Sequence, residues 1–172
     1  MDETCGPVFI LSCVRSGSTL LRYVLDTHQN ICSPGHLNLG VLCHNLYHAA
    51  YLSIGSLSSV KSEKQRDGVA IDEVRRVVYG LMNNYAQGKG KKRWCEKSTD
   101  NIDYLDIMEK VFPDGQYVCL YRNCLDVVYS CVNASPLGFM SELAPYVRNR
   151  PENFVAAVIE YWLEEKRVRP YI

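Results

Sequence analysis

The chain has no excess of charge of either sign: its 172 residues carry 19 Lys and Arg against 19 Asp and Glu. That balance leaves no basic field to hold nucleic acid or an anionic membrane, so neither is expected as a partner. No apolar run approaches the ~20 residues that a bilayer-spanning helix needs. The first residues, Met1-Asp2-Glu3-Thr4, are acidic, unlike the basic start of a secretion signal. Eight cysteines are present, but none form a C-x-x-C pair, which argues against structural zinc. Cys13, Cys95 and Cys119 lie in or beside apolar strand-like runs, and Cys124 and Cys131 in a helical one. They read as buried thiols of a reducing compartment, and a cytoplasmic location is expected. His44 and His48 have metal-ligand spacing but lack the glutamate of H-E-x-x-H and any third ligand. They read as helix-surface histidines, and no metal is expected.

What is present is enough chain for one domain with a real core, at an ordinary 47% hydrophobic content. The rest is organised around Val8 to Leu21, V-F-I-L-S-C-V-R-S-G-S-T-L-L. Val8 to Leu11 has the length and character of one buried strand. Ser12 to Thr19 is a tight polar loop, and Leu20, Leu21, Val24 and Leu25 open a helical pattern. Strand, small-residue loop and helix together hold an anion: loop amides converge on it, and the helix N-terminus adds partial positive charge. Gly17 permits close backbone approach, Arg15 supplies a fork of donors, and Ser16, Ser18 and Thr19 supply hydroxyls and a helix cap. The residue after Gly17 is Ser18, not the Lys of the nucleotide-triphosphatase loop G-x-x-x-x-G-K-[ST].

Further along, Ile31-Cys32 reads as a strand, followed by a Ser33-Pro34-Gly35 turn and His36. Leu37 to Leu52 has helical spacing, Ser53 to Gly68 reads as a loop, and Val69 to Tyr85 as a helix. Gln87 to Arg93 reads as a basic loop, solvated or touching an anionic ligand. Trp94-Cys95 begins a strand that ends in Glu96-Lys97-Ser98-Thr99. A helix capped by Thr99 or Asp100 is expected from about Ile102 to Phe112. Gln116 to Tyr121 is a strand with Arg122 at its end, and Leu125 onward is helical. Asn133 to Arg150, with two prolines, reads mostly as loop, and Pro151 to Arg167 as a last helix. Strands alternating with helices imply an α/β fold with a mainly parallel sheet flanked by helices on both faces. Arg15, His36, Lys97 and Arg122 all follow strand ends, where such sheets bind ligands.

Three stretches, C-V-R-S-G-S-T-L-L from Cys13, E-K-S-T-D-N from Glu96 and Y-R-N-C-L-D-V-V-Y-S from Tyr121 to Ser130, carry a resemblance. Together they resemble the sulfotransferases that use 3′-phosphoadenylyl sulfate (PAPS), nearest in motif to the tyrosylprotein and bacterial branches. The resemblance implies a P-loop-like fold and PAPS as co-substrate, with no metal. It implies transfer of a sulfuryl group to a hydroxyl or amine of a small-molecule, glycan or peptide acceptor. By that resemblance Arg15, Ser16, Gly17, Ser18 and Thr19 hold the 5′-phosphosulfate, and Arg122 and Ser130 hold the 3′-phosphate. Lys97 matches a lysine that contacts the transferring group. His36 stands where those branches carry a Glu, and is expected to be the general base.

Family members continue past the Trp162-type helix with a further strand and a loop over the 3′-phosphate. Residues 1–172 are therefore expected to be a single C-terminally truncated domain, and a homo-oligomer is possible through the exposed edge. Two rivals remain open. One is a non-catalytic module that binds the donor. The other is a small-molecule kinase, disfavoured by the missing Gly-Lys pair in the loop and the lack of a strand ending in a magnesium-binding Asp.

Overall fold

The computed structural model describes residues 6–54, 62–134 and 141–165. Four parallel strands form its centre: β1 (Val8–Ser12), β2 (Ile31–Cys32), β3 (Arg93–Glu96) and β4 (Gln116–Leu120), in the order β2-β3-β1-β4. β1 is buried at every residue, as its unbroken apolar run requires of a central parallel strand. It aligns Val8 to Ser12 with Gln116 to Leu120 of β4, and Val8 and Phe9 with Cys95 and Glu96 of β3.

Period-two alternation then divides the core. Val8, Ile10 and Cys95 face α1 (Ser18–Asp26), meeting Leu21 and Leu25. Phe9 points to the other face, against Trp94, Phe112 and Tyr117, with ring centroids 4.9 to 5.6 Å apart. That face is covered by α2 (Leu39–Ile54), α3 (Glu63–Gly88) and α4 (Leu105–Val111). A third cluster joins Cys13 and Val14 to α5 (Cys124–Ala134) and α7 (Phe154–Glu165), behind the loop that follows β1. The sheet is thus parallel and flanked by helices on both faces. No helix among the described residues is long and apolar enough to cross a membrane.

Several boundaries differ from the sequence reading. Glu63 to Gly68 is helix, the first turns of α3, capped by the Ser62 hydroxyl accepting from the Gln65 amide at 3.2 Å. Tertiary contacts hold these turns: Tyr47 of α2 donates to Asp67 at 2.5 Å, and Arg66 lies over the Tyr51 ring at 4.0 Å. The rest of that expected loop, residues 55–61, lies outside the described residues. The basic stretch is shorter than expected, because α3 runs to Gly88 and β3 begins at Arg93. Arg93 donates to the Gly6 carbonyl and to Gln116, and Lys91 to the His28 carbonyl, so both tie the fold together at the amino ends of the strands.

The helix expected from Ile102 is preceded by a 3-10 helix (Thr99–Tyr104) and is not capped by Thr99, whose hydroxyl bonds Glu142. The segment 133–150 is not mostly loop. Ser141–Leu143 forms a 3-10 turn, and α6 (Ala144–Asn149) follows with Pro145 in its first turn. A proline reads as a breaker, yet at that position its missing N–H has no partner to lose. Residues 135–140 lie outside the described residues.

Candidate active site

The loop between β1 and α1 turns twice through left-handed backbone, at Arg15 (φ 60) and at Gly17 (φ 92). A non-glycine residue in that region stores roughly 1–2 kcal/mol of strain, and such strain clusters at functional sites. Gly17 caps α1 through its backbone. No side chain bonds the helix start, contrary to the expected capping by Ser16, Ser18 and Thr19. The Ser16 hydroxyl instead shares a 2.7 Å hydrogen bond with the Cys13 thiol. The amides of Ser18, Thr19 and Leu20 open the helix and have no intrahelical acceptor, so the turn presents donors and positive dipole outward.

Two arginines brace this loop. Arg15 donates from Nε to the Ser130 hydroxyl at 3.0 Å, and Arg122 donates to the Arg15 carbonyl at 2.8 Å. The Arg122 carbonyl accepts from Trp162 of α7 at 3.0 Å, and the Tyr161 hydroxyl accepts from the Val14 amide at 3.1 Å. Helix α7 thereby fixes both cationic segments from behind. Both guanidinium groups are exposed toward solvent.

The facing wall rests on Glu96, whose side chain is fully buried. It accepts hydrogen bonds from the Ser98 hydroxyl, the Asn101 amide and, at 3.3 Å, the Leu37 backbone N–H. Burial raises its pKa even against these three donors. Ser98 accepts from the Asn38 N–H at 3.0 Å, and Asn101 from the Gly40 N–H at 2.9 Å. This platform lashes the segment carrying His36 to the segment carrying Lys97. A second set of bonds fixes the turn before His36. Arg22 of α1 donates to the Ser33 and Pro34 carbonyls at 3.3 and 3.0 Å, and Asp26 accepts from the Ser33 N–H at 2.7 Å.

Lys97 is 4% exposed, and its Nζ lies 3.3 Å from the His36 Nε2. Burial lowers the lysine pKa, partly offset by the charges of Glu142 and Glu96. His36 is also lowered, by partial desolvation and then by the positive charges of Lys97 and Arg22. Its imidazole is therefore neutral at neutral pH and able to accept a proton.

These parts line one open cleft of about 380 Å³: Val14, Arg15, Gly17, Ser18, Thr19, His36, Lys97, Thr99, Arg122, Ser130 and Glu142. It lies at the carboxyl ends of β1, β2, β3 and β4, where a parallel sheet places its ligands. Every site residue expected from sequence reaches it except Ser16, which is buried against Cys13. Sequence reading missed Glu142. Its carboxylate accepts from Thr99 at 2.5 Å and from Ser141 at 3.1 Å. Burial would raise the Glu142 pKa, but those hydrogen bonds and the charge of Lys97 outweigh it and lower it. Nothing near Glu142 in the chain marks it as a site residue, because Thr99, which ties it to the cleft, stands 43 residues away. Among the described residues no group of three or more His, Cys, Asp or Glu is clustered to hold a metal. His44 meets His48 edge-on, with ring centroids 4.4 Å apart, and packs against Tyr104.

A parallel sheet whose central strand runs through a tight loop into a helix at its carboxyl end defines a P-loop-like α/β protein. The sulfotransferase family model matches residues 7–166, and the chain belongs to that family. It is 27% identical over 129 residues to an uncharacterized protein of Aquifex aeolicus (strain VF5), covering 72% of this chain and 16% of that protein. It is 24% identical over 144 residues to nodulation protein NoeE of Sinorhizobium fredii (strain NBRC 101917 / NGR234), covering 80% and 33%. Among solved structures, the sulfotransferase domain from the curacin biosynthetic pathway shares its fold. The TM-score is 0.56 at 22% identity, over 94% of this chain and 60% of that one. The chain thus spans a third or less of these two curated relatives and about three fifths of the solved domain.

Proposed function

We propose that this chain transfers the sulfuryl group of PAPS to an acceptor hydroxyl or amine. One observation carries the reading: two exposed arginines, a helix N-terminus, a buried lysine and a neutral histidine converge on one cleft from separate strand ends. In this reading Arg15 and the amides of Ser16 to Thr19 hold the 5′-phosphosulfate, and Arg122 with Ser130 the 3′-phosphate. Ser16 contributes backbone alone, since its hydroxyl is engaged with Cys13.

The acceptor oxygen or nitrogen attacks sulfur as the bond from sulfur to the bridging phosphate oxygen breaks. The electron pair leaves on the phosphate, giving adenosine 3′,5′-bisphosphate. Lys97 and Arg15 stabilise that growing charge, and His36 takes the acceptor's proton. Position and electrostatics supply the rate, as in phosphoryl transfer.

Calorimetric titration with adenosine 3′,5′-bisphosphate tests the donor site. Micromolar binding is expected, weakened about ten- to a hundredfold in Arg122→Ala by the loss of a charge-assisted contact. No binding by the folded chain would overturn the reading. A second reading, a donor-binding module without turnover, is favoured by the open side of β4. There Val118, Tyr121, Leu125 and Tyr129 are exposed beyond the last strand described. Tight binding of the bisphosphate with no sulfated product from PAPS and an acceptor panel would select it.

A further inference from the structure

We propose that Lys97 gates His36. Without donor its ammonium occupies the Nε2 lone pair of His36, and the phosphosulfate draws the ammonium away, freeing the base only once donor is in place. The inference rests on reading the cleft as a PAPS site. It begins with the 3.3 Å contact between Nζ and Nε2. An ammonium is a donor only, so Nε2 must accept, which puts the imidazole proton on Nδ1. While that bond stands, Nε2 has no lone pair to offer an acceptor hydroxyl.

The ammonium is poorly served where it is. It has three N–H groups and lies in a side chain 4% exposed, yet His36 is its one hydrogen-bond partner among the described residues. The two nearby carboxylates are committed elsewhere. Glu96 is held by Ser98, Asn101 and Leu37, and Glu142 by Thr99 and Ser141. Lys97 lines the same cleft as Arg15, Gly17 and Ser18, where the anion would sit. An anionic oxygen adds full charge–charge attraction that a neutral ring nitrogen lacks, and a four-carbon stem lets the ammonium turn toward it. His36 is faced by Arg22 from α1, Lys97 after β3, Asp100 from the 3-10 helix and Glu142 from the turn before α6. Moving the lysine toward an anion removes the nearest positive charge from the ring and raises its proton affinity when a base is needed. Donor binding thus arms the base, and an acceptor arriving first meets an occupied imidazole.

The test is nitrogen NMR of the full, uniformly nitrogen-labelled chain, read at its four histidines and its backbone amides, with His36 assigned by the signal lost in His36→Gln. At pH 8 the neutral ring reports whether Nε2 accepts a hydrogen bond. In the free protein Nε2 should show the bonded position. In Lys97→Met, which keeps the side-chain volume, it should move to the unbonded position, and the His36 pKa should rise. Adding PAPS alone should move the wild-type signal the same way and leave the Lys97→Met signal where it is. Identical Nε2 positions in wild type and Lys97→Met would overturn the resting contact. A wild-type signal that stays bonded when PAPS shifts the Arg122 and Ser130 amides would overturn the release. If PAPS shifts neither amide, the donor reading itself fails and release with it, an outcome distinct from the other two. Lys97→Gln repeats the comparison should the methionine variant fold poorly.

Discussion

The loop between β1 and α1 builds its wall of the cleft from the backbone of consecutive residues, Val14 to Thr19. The wall opposite holds Lys97 and His36 on side-chain bonds between two distant segments, 37–40 and 96–101. The first wall exposes Arg15, Gly17 and Thr19 and passes twice through left-handed backbone. The second is built over a carboxylate with no solvent exposure. A backbone cradle loses little when one side chain changes, because its donors belong to every residue. A buried polar network fails as a unit, because each missing partner strands the others. The donor-side loop should therefore tolerate substitution in stability while changing affinity, and the facing wall should do the reverse.

The largest expected effect is on chemistry. Lys97→Ala should lower turnover by about 10²–10³-fold, the usual cost of losing one preorganised electrostatic group, read as kcat with PAPS and an acceptor. Next comes Glu96→Ala, which strands the Ser98, Asn101 and Leu37 donors. It should cost about 2–4 kcal/mol in denaturant unfolding. An unchanged midpoint would erase the contrast between the walls, since Glu96 would then support nothing. Gly17→Ala should be milder. A Cβ there meets nothing within 4 Å, so only the backbone penalty of φ 92 applies, about 1–2 kcal/mol.

The smallest effect concerns pH. His36 must be neutral to act as base, and its pKa lies below the ordinary 6.5. The acid limb of kcat against pH should therefore fall below 6.5 and disappear in His36→Ala. A limb above 6.5 would assign the proton to another group.

Much of the donor side was legible in the chain. The apolar run Val8 to Leu11, the R-S-G-S-T turn and the spacing from Arg122 to Ser130 are local patterns; the bond from Arg15 to Ser130 at 3.0 Å was not read from them. His36 and Lys97 were legible as strand-end residues, but their contact was not. Local signals also misled. Pro145 reads as a breaker and instead opens α6, and Ser53 to Gly68 hides the capped start of α3 at Ser62. Glu142 and Arg22 had no signal at all. Glu142 meets Thr99 across 43 residues, and Arg22 acts on carbonyls of a turn rather than on any residue type a motif could show.

The sequence alone determined that a buried strand runs into a tight turn through a left-handed glycine, because strand burial and glycine's backbone freedom are properties of neighbouring residues. It also determined which cations stand at strand ends. Only the tertiary structure decided that Glu96 turns inward as a platform while Lys97, next to it, turns into the cleft. Successive residues at a strand end face opposite sides. The core formed by α2, α3 and α4 set which side is packed, and so which of the two became structural and which lines the cleft.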